Sequence, residues 1–254
     1  MERISDWFLD KLETASGLMD GIALLREVGE RVGLPLPAAT LDVDDWDPPL
    51  YRDRPLAVLM GWPEDWVTEF RAQGLNRYDP FTNYCRFEHR PFHWRTNDSG
   101  TTWKGQLLNG MPRHAMQALR KQVGVGITIP IYRTCGRIGH VTFTHHDITT
   151  DVESLFRVHR SDLFLIAHHF IDALDGWVKR DREIPDFDPL TPREKECLHW
   201  VSMGNTDEQV SRILFRSPAT TRFHIKNAIR KLGATNRAHA ISIAYQRRLL
   251  SPHF

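Results

Sequence analysis

The chain has 254 residues, of which 41% are hydrophobic and 26% charged, and its formal net charge is +1 at pH 7. This composition is that of an ordinary soluble protein, long enough for one large and one small domain. No apolar run approaches the ~18 residues that a membrane-spanning helix needs. The three cysteines are far apart in sequence, which favours reduced thiols in a cytoplasmic protein over a disulfide framework.

The chain begins with helical periodicity and then loses it. Apolar residues recur at helical spacing between Trp7 and Val32, which predicts two helices that end at Gly33-Leu34-Pro35. Residues 36–62 show no regular pattern and are predicted to be irregular. A short helix is expected to follow, running to about Gly74.

Aromatic side chains crowd the window from residue 62 to residue 94. Such density is usually plain core. However, Asp79 also stands in this window, and a buried carboxylate must be hydrogen-bonded or must bind a ligand that carries donors. Indole N–H groups would in turn suit ligand carbonyls. The residues alone therefore leave two interpretations open, a solid core and a ligand pocket. The aromatic residues are Trp62, Trp66, Phe70, Tyr78, Phe81, Phe92 and Trp94.

The remainder of the N-terminal part predicts a sheet covered by helices. Residues 126–132 and 138–144 read as two strands of a hairpin, 91–95 as a further strand, and 152–178 as one long helix. The fold class is therefore α+β, an α-β-α sandwich around an antiparallel sheet. We place this domain at residues 1–176. Residues 177–189 are charged and end in prolines, which is typical of a linker.

Residues 190–254 predict a small all-α domain of four helices. Thr191 and Thr206 each begin a helix with a capping box, Ser217-Pro218 begins a third, and Gly204 suits the left-handed end of the first. From Asp188 onward the chain has eleven Lys/Arg against five Asp/Glu, while the remainder has 22 against 27. A basic tail on an acidic body favours one nucleic-acid-binding module and one module of another kind.

The third of these helices carries side chains suited to a DNA major groove. Its buried stripe runs from Ile225 to Leu232, and the opposite face is basic. Lys and Arg neutralise phosphate or read guanine, Asn pairs with adenine, and Thr or Phe touches a thymine methyl. A solvated surface helix is the alternative, but three capped short helices in a row favour a helix-turn-helix. The candidate DNA-binding residues are Thr220, Arg222, Phe223, Lys226, Asn227 and Arg230.

The segments LTPREKE, GNTDEQV and SPATTRFHIKNAIRKLGATNRAHAI resemble the DNA-binding domain of LuxR-type transcription factors. The chain departs from the family pattern at Val210-Ser211, where Ile-Ala is usual, and at Thr221, where Val is usual. Thr221 lies beside the buried stripe, so we expect its hydroxyl to bond to a carbonyl one turn back.

The aromatic window is similar to the autoinducer-binding domain of the same quorum-sensing family. By this resemblance the ligand is an N-acyl homoserine lactone, to whose lactone carbonyl Trp66 donates and from whose amide N–H Asp79 accepts. Trp94 would wall the lactone ring, Thr142 would bond near the acyl amide, and Gly126 would let the sheet approach. The candidate ligand-binding residues are Trp62, Trp66, Phe70, Tyr78, Asp79, Phe81, Trp94, Gly126 and Thr142.

Trp62 and Phe70 stand where this family usually has tyrosine. Both changes remove a phenol hydroxyl, and Trp62 also adds bulk. We therefore expect a shorter, branched or aryl acyl group, or else a different ligand. A LuxR-type DNA binder that takes a non-lactone ligand, or none, stays open as the alternative function.

Other functional classes lack their sequence signals. No G-x-S-x-G, H-E-x-x-H or P-loop occurs, so we predict no enzyme and no cofactor. The pairs His145-His146 and His168-His169 would chelate a metal poorly, because adjacent side chains point apart, and no metal site is predicted. A response regulator would begin with a receiver strand, whereas this chain begins with helices.

The sequence thus predicts a cytoplasmic, ligand-responsive transcription factor. One helix-turn-helix buries too little surface for a specific site, so we expect a homodimer on a palindromic operator of double-stranded DNA. The expected partners are that DNA, the autoinducer, a second copy of the chain and RNA polymerase, with no membrane. A ligand that fills the pocket would favour the folded dimer by mass action.

Overall fold

The computed structural model describes residues 3–44, 50–97, 112–133, 136–179, 190–247 and 249–250. The chain divides into two compact units, the first formed by Met1–Arg133 with Arg137–Glu183 and the second mainly by Ile184–Phe254. The last helix of the first unit continues to Lys179, three residues into the predicted linker. The rest of that linker, 180–189, lies outside the described residues.

The first unit mixes helices with an antiparallel sheet. In chain order its described elements are α1 (Ile4–Glu13), α2 (Leu18–Val32), β1 (Leu36–Thr40), β2 (Leu50–Tyr51), β3 (Arg54–Pro55), α3 (Leu56–Leu59), α4 (Glu64–Ala72), a 3-10 helix (Leu75–Tyr78), α5 (Pro80–Tyr84), β4 (Phe92–Arg95), α6 (Arg113–Gln122), β5 (Val125–Tyr132), β6 (Ile138–His145) and α7 (Val152–Lys179).

The sheet has the strand order β1-β6-β5-β4, and every neighbouring pair is antiparallel. Helix α7 packs on one face of it, and α1 and α2 pack against α7. Strand β5 is buried at seven consecutive residues, so both faces of the sheet are covered. The predicted α-β-α sandwich around an antiparallel sheet is confirmed.

Several elements of this unit differ from the sequence prediction or were not part of it. Residues 36–40, predicted to be irregular, form the edge strand β1, whose Leu36 pairs with Thr144 and whose Thr40 pairs with His140. This segment contains Pro37 and no apolar alternation. Its strand conformation therefore depends on pairing with β6 rather than on its own propensity. Strands β2 and β3 and helix α3 also lie within the segment predicted to be irregular, and helices α5 and α6 have no counterpart among the predicted elements.

The described residues of the second unit form four helices, α8 (Pro192–Ser202), α9 (Asp207–Ile213), α10 (Pro218–Lys231) and α11 (Arg237–Gln246). The predicted capping boxes at Thr191 and Thr206 are both present, and Ser217 caps α10 by accepting from the Thr220 N–H. Gly204 takes the expected left-handed conformation, with φ of 87°. These local signals fix where the helices of the unit begin and end.

Glu194 joins two helices of this unit. Its carboxylate accepts from the Thr191 N–H, which completes the capping box, and from Lys231 Nζ at 2.8 Å. Burial acts to raise the pKa of Glu194, but the bonds from Lys231 and Thr191 outweigh it and lower that pKa. The start of α8 is thereby tied to the end of α10.

Among the described helices, none combines the length and the apolarity required to cross a bilayer.

Candidate functional site

A cavity of about 170 Å³ lies in the first unit, against the face of the sheet that α7 leaves free. Strands β4, β5 and β6 form its floor, and α4, α5 and α6 form its walls. The lining residues include Ala38, Trp62, Trp66, Phe70, Arg71, Asp79, Phe81, Thr82, Trp94, Leu119, Thr128, His140, Thr142 and Thr144.

Most of the predicted ligand-binding residues meet at this cavity, but Tyr78 does not. It ends the 3-10 helix and is 45% exposed, and its side chain is not part of the cavity lining, so its role in ligand binding stays a prediction. Asp79 follows directly in extended conformation and begins α5. Because the chain changes direction between them, the adjacent residues Tyr78 and Asp79 have different surroundings, although the sequence predicts both to bind the ligand. Gly126 also does not line the cavity, but it supports a wall of it.

The aromatic wall is a stack of three rings at the start of α4 and along it. Trp62 stacks on Trp66 with ring centroids 4.9 Å apart, and Trp66 stacks on Phe70 at 4.7 Å. Trp66 and Phe70 are four residues apart on α4 and share one face of it, whereas Trp62 lies just before the N-cap Pro63 and extends the stack beyond the start of the helix. Trp62 Nε1 donates to the Pro37 carbonyl at 2.7 Å, so Trp62 presents only its ring to the cavity. The Trp66 Nε1 donor is buried and has no partner among the described residues.

Asp79 supplies a hydrogen-bond acceptor at the same cavity. It is the N-cap of α5, where one carboxylate oxygen accepts from the Phe81 N–H at 3.0 Å and the other from the Thr82 hydroxyl at 2.6 Å. Each carboxylate oxygen has a second lone pair that these bonds do not use. The carboxylate is therefore fixed in position and still able to accept from a ligand N–H.

Trp94 forms the far wall and is held on both sides. Its ring stacks on Phe81 with centroids 3.5 Å apart and planes 11° from parallel. Trp94 Nε1 donates to Thr128 Oγ1 at 2.9 Å, and Thr128 Oγ1 lies 2.7 Å from Thr142 Oγ1. The Thr142 hydroxyl donates to the Ile127 carbonyl at 3.1 Å. The single hydroxyl hydrogen of Thr142 is therefore already used, and Thr142 can only accept a hydrogen bond from a ligand.

Gly126→Ala should damage this wall. Gly126 pairs with Trp94 across β4 and β5, and a Cβ at Gly126 would lie 2.4 Å from the indole ring. The ring cannot move away freely, because Phe81 covers its other face. We expect overpacking to lower the free energy of unfolding by roughly 1–3 kcal/mol, which thermal unfolding would measure. We also expect the tryptophan emission of the folded protein to change. Gly176→Ala is the control, since a Cβ there meets nothing within 4 Å.

Sequence reasoning missed Thr82 and His140, which form a polar pair beside Asp79. His140 Nε2 lies 3.0 Å from Thr82 Oγ1. The His140 ring is only 6% exposed, and its burial lowers its pKa to about 4 although the charge of Asp79 acts in the opposite direction. His140 could have been found from the sequence, because alternate residues of a strand share a face, and residue 140 therefore lies on the same face of β6 as Thr142.

The predicted DNA-binding residues share the outer surface of α10. Thr220, Arg222, Lys226 and Arg230 are exposed, and Asn227 is half-buried. Phe223 is 61% exposed and meets the ring of His224 in an edge-to-face contact, so most of its own ring faces outward. The face is therefore basic, with one amide and one aromatic ring among the cations.

Thr221 differs from its prediction. Its side chain is buried, but its hydroxyl has no partner within the described part of the chain rather than bonding to a carbonyl one turn back. It lines a surface cavity of about 230 Å³ that also contains Arg193, Arg216 and His224. Arg193 and Arg216 lie outside the predicted DNA-binding set. They bring two more guanidinium groups next to Thr220. Arg193 is paired with Glu196 at 2.5 Å, so a phosphate here would bind Arg216 and compete with Glu196 for Arg193.

The chain matches two described families. Residues 47–174 match the autoinducer binding domain, and residues 188–244 match the bacterial regulatory proteins of the luxR family. The first match contains all the cavity-lining residues except Ala38, and the second contains α8 to α10.

Individual proteins are similar over most of their length. The transcriptional activator protein LuxR of Aliivibrio fischeri is 30% identical over 189 residues, which cover 74% of this chain and 73% of LuxR. The transcriptional activator protein BjaR1 of Bradyrhizobium diazoefficiens is 24% identical over 247 residues, covering 94% and 96% of the two chains.

Solved structures show the same fold. The crystal structure of Escherichia coli SdiA has a TM-score of 0.66 at 19% identity, with 97% of this chain and 98% of that one covered. A structure of SdiA in complex with octanoyl-rac-glycerol has a TM-score of 0.64, also at 19% identity, and both chains are covered completely.

Proposed function

This chain belongs to the LuxR family of ligand-responsive, DNA-binding quorum-sensing regulators, and on that basis we propose that its ligand is an N-acyl homoserine lactone with a compact acyl group. The single observation that carries this proposal is the pair of hydrogen-bonding groups at the cavity. Trp66 Nε1 is a buried donor without a partner among the described residues, and Asp79 is a fixed acceptor. An acyl homoserine lactone offers a carbonyl to the first and an amide N–H to the second.

A buried donor without an acceptor costs free energy of the order of 1–3 kcal/mol. The ligand offsets that cost when its carbonyl accepts from Trp66. Filling the cavity therefore stabilises the folded unit, and the stabilisation grows with ligand concentration. We propose this linkage as the means by which the ligand controls how much competent protein is present.

The size of the cavity supports a compact acyl group. A cavity of about 150 Å³ lined by apolar side chains is large enough for benzene, and this one has about 170 Å³. The Trp62 ring, stacked on Trp66, takes space where a smaller side chain would leave room for a long chain. The SdiA complex with octanoyl-rac-glycerol makes a non-lactone amphiphile the second candidate.

For the DNA side we propose that α10 enters the major groove with Lys226, Asn227 and Arg230 directed to the DNA, while Arg193 and Arg216 contact phosphate. Two such helices, one from each copy of a homodimer, would read a palindromic operator. We propose that helix α7 takes part in this pairing, and its most exposed apolar side chain is Val158 at 69%. Such a regulator acts on the chromosome in the cytoplasm, where RNA polymerase is a further proposed partner. We propose no catalytic activity.

Mass spectrometry of small molecules that co-purify with the protein tests the ligand. The protein would be expressed in a host that makes a mixture of lactones and then compared with Asp79→Asn. We expect one lactone with a short, branched or aryl acyl group to be enriched on the unmodified protein and lost from the variant. Enrichment of acylglycerols instead would support the second candidate, and preference for long straight-chain lactones would contradict the compact pocket.

A further inference from the structure

His140 is a buried polar side chain in the cavity wall that the proposed lactone contacts do not use. Its ring lines the cavity, and its Nε2 lies 3.0 Å from Thr82 Oγ1. Its other nitrogen, Nδ1, is buried and has no hydrogen-bond partner among the residues that the structure describes. A buried imidazole nitrogen without a partner is costly, so this atom marks a place for a polar group of the ligand.

The proton positions decide which kind of polar group fits. The Thr82 hydroxyl has one proton, and it donates that proton to Asp79 Oδ2 at 2.6 Å. Thr82 Oγ1 can therefore only accept from His140, which makes His140 Nε2 the protonated nitrogen. Because burial lowers the pKa of His140 to about 4, the ring is neutral near pH 7. Its Nδ1 then carries a lone pair and no proton, and it acts solely as an acceptor.

We propose that the acyl group of the ligand carries a hydroxyl that donates to His140 Nδ1. The inference rests on the proposed lactone function, in which the ligand amide N–H is already bound by Asp79 and the lactone has no other donor. Asp79 and the Nε2 side of His140 both contact Thr82 Oγ1, so an acyl chain whose amide is bound by Asp79 has His140 beside its first carbons. The hydroxyl that we assign to Nδ1 is therefore that of a 3-hydroxyacyl chain. A 3-oxo group would direct its lone pairs at the lone pair of Nδ1.

Binding of three lactones of equal chain length tests this inference. The 3-hydroxyacyl, 3-oxoacyl and unsubstituted lactones would be titrated into the full chain by calorimetry. We expect the hydroxylated lactone to bind about tenfold more tightly than the unsubstituted one, with the 3-oxo lactone no tighter than the unsubstituted one. His140→Leu should abolish the preference for the hydroxyl, whereas His114→Leu, on an exposed part of α6, should keep it.

A second measurement uses the protein without any mutation, so that it does not depend on whether the His140→Leu variant folds. In ¹⁵N spectra of histidine-labelled protein we expect His140 to be protonated at Nε2, and we expect its Nδ1 signal to move when the hydroxylated lactone is added but not with the unsubstituted one. Equal affinities for all three lactones, or a proton on Nδ1, would overturn the inference and leave the lactone function standing. Binding of none of the three would overturn both.

Discussion

Asp79→Asn is expected to lower the affinity of the protein for its lactone about a hundredfold. The variant keeps an oxygen that can cap α5, since asparagine is as good an N-cap as aspartate. It replaces the other carboxylate oxygen by an NH₂ group and removes the charge. The ligand N–H then loses a charge-assisted bond and is buried without an equivalent acceptor, which costs about 2–3 kcal/mol.

Asp147→Asn is a matched control for this measurement. Asp147 also accepts from a nearby backbone N–H and a threonine hydroxyl, both of Thr149, but it is exposed and does not line the cavity. Calorimetry should show unchanged lactone affinity for Asp147→Asn and the large loss only for Asp79→Asn. Equal losses in the two variants would mean that a local turn, and not a ligand contact, explains the effect.

Lys226→Ala is expected to weaken operator binding about tenfold near physiological salt and to leave lactone affinity unchanged. Lys226 is exposed on the basic face of α10. Loss of one phosphate contact removes about one released counterion, so the slope of log affinity against log salt should fall by about 1 for each copy bound. The measurement is fluorescence anisotropy over a salt series, on a duplex that the unmodified protein selects from a random pool.

Lys121→Ala removes the same charge from the end of α6, in the other unit, and it should change neither the affinity nor the slope. A reduction of equal size in both variants would indicate a nonspecific effect of net charge. Loss of lactone binding in Lys226→Ala would argue against two separate sites.

Local chemistry made much of the fold predictable. Capping boxes at Thr191 and Thr206 and the left-handed Gly204 depend on neighbours within a few residues, and all three occur as expected. The edge strand β1 was missed because its conformation depends on β6, about a hundred residues away in sequence. Non-local pairing of this kind leaves no periodic signal in the segment itself.

The cavity was predictable as a place but not in its hydrogen bonding. The resemblance to the autoinducer-binding domain predicted Trp66 and Asp79 as ligand-binding residues, and both line the cavity in the structure. The resemblance did not reveal that Trp62 Nε1 donates its hydrogen bond to the Pro37 carbonyl. Nor did it reveal that the Thr142 hydroxyl donates to the Ile127 carbonyl. Thr221 shows the same limit, because whether a buried hydroxyl finds a partner depends on packing that its helix alone does not determine.

Thermal unfolding of Trp66→Phe, with and without lactone, tests the central claim most directly. The variant keeps an aromatic ring in the stack and removes the buried donor that has no partner among the described residues. We predict that the melting temperature without ligand stays equal or rises, whereas the stabilisation by lactone falls with an affinity loss of about tenfold. A lower melting temperature without ligand, together with undiminished stabilisation by lactone, would contradict the proposal that this cavity holds the lactone through Trp66.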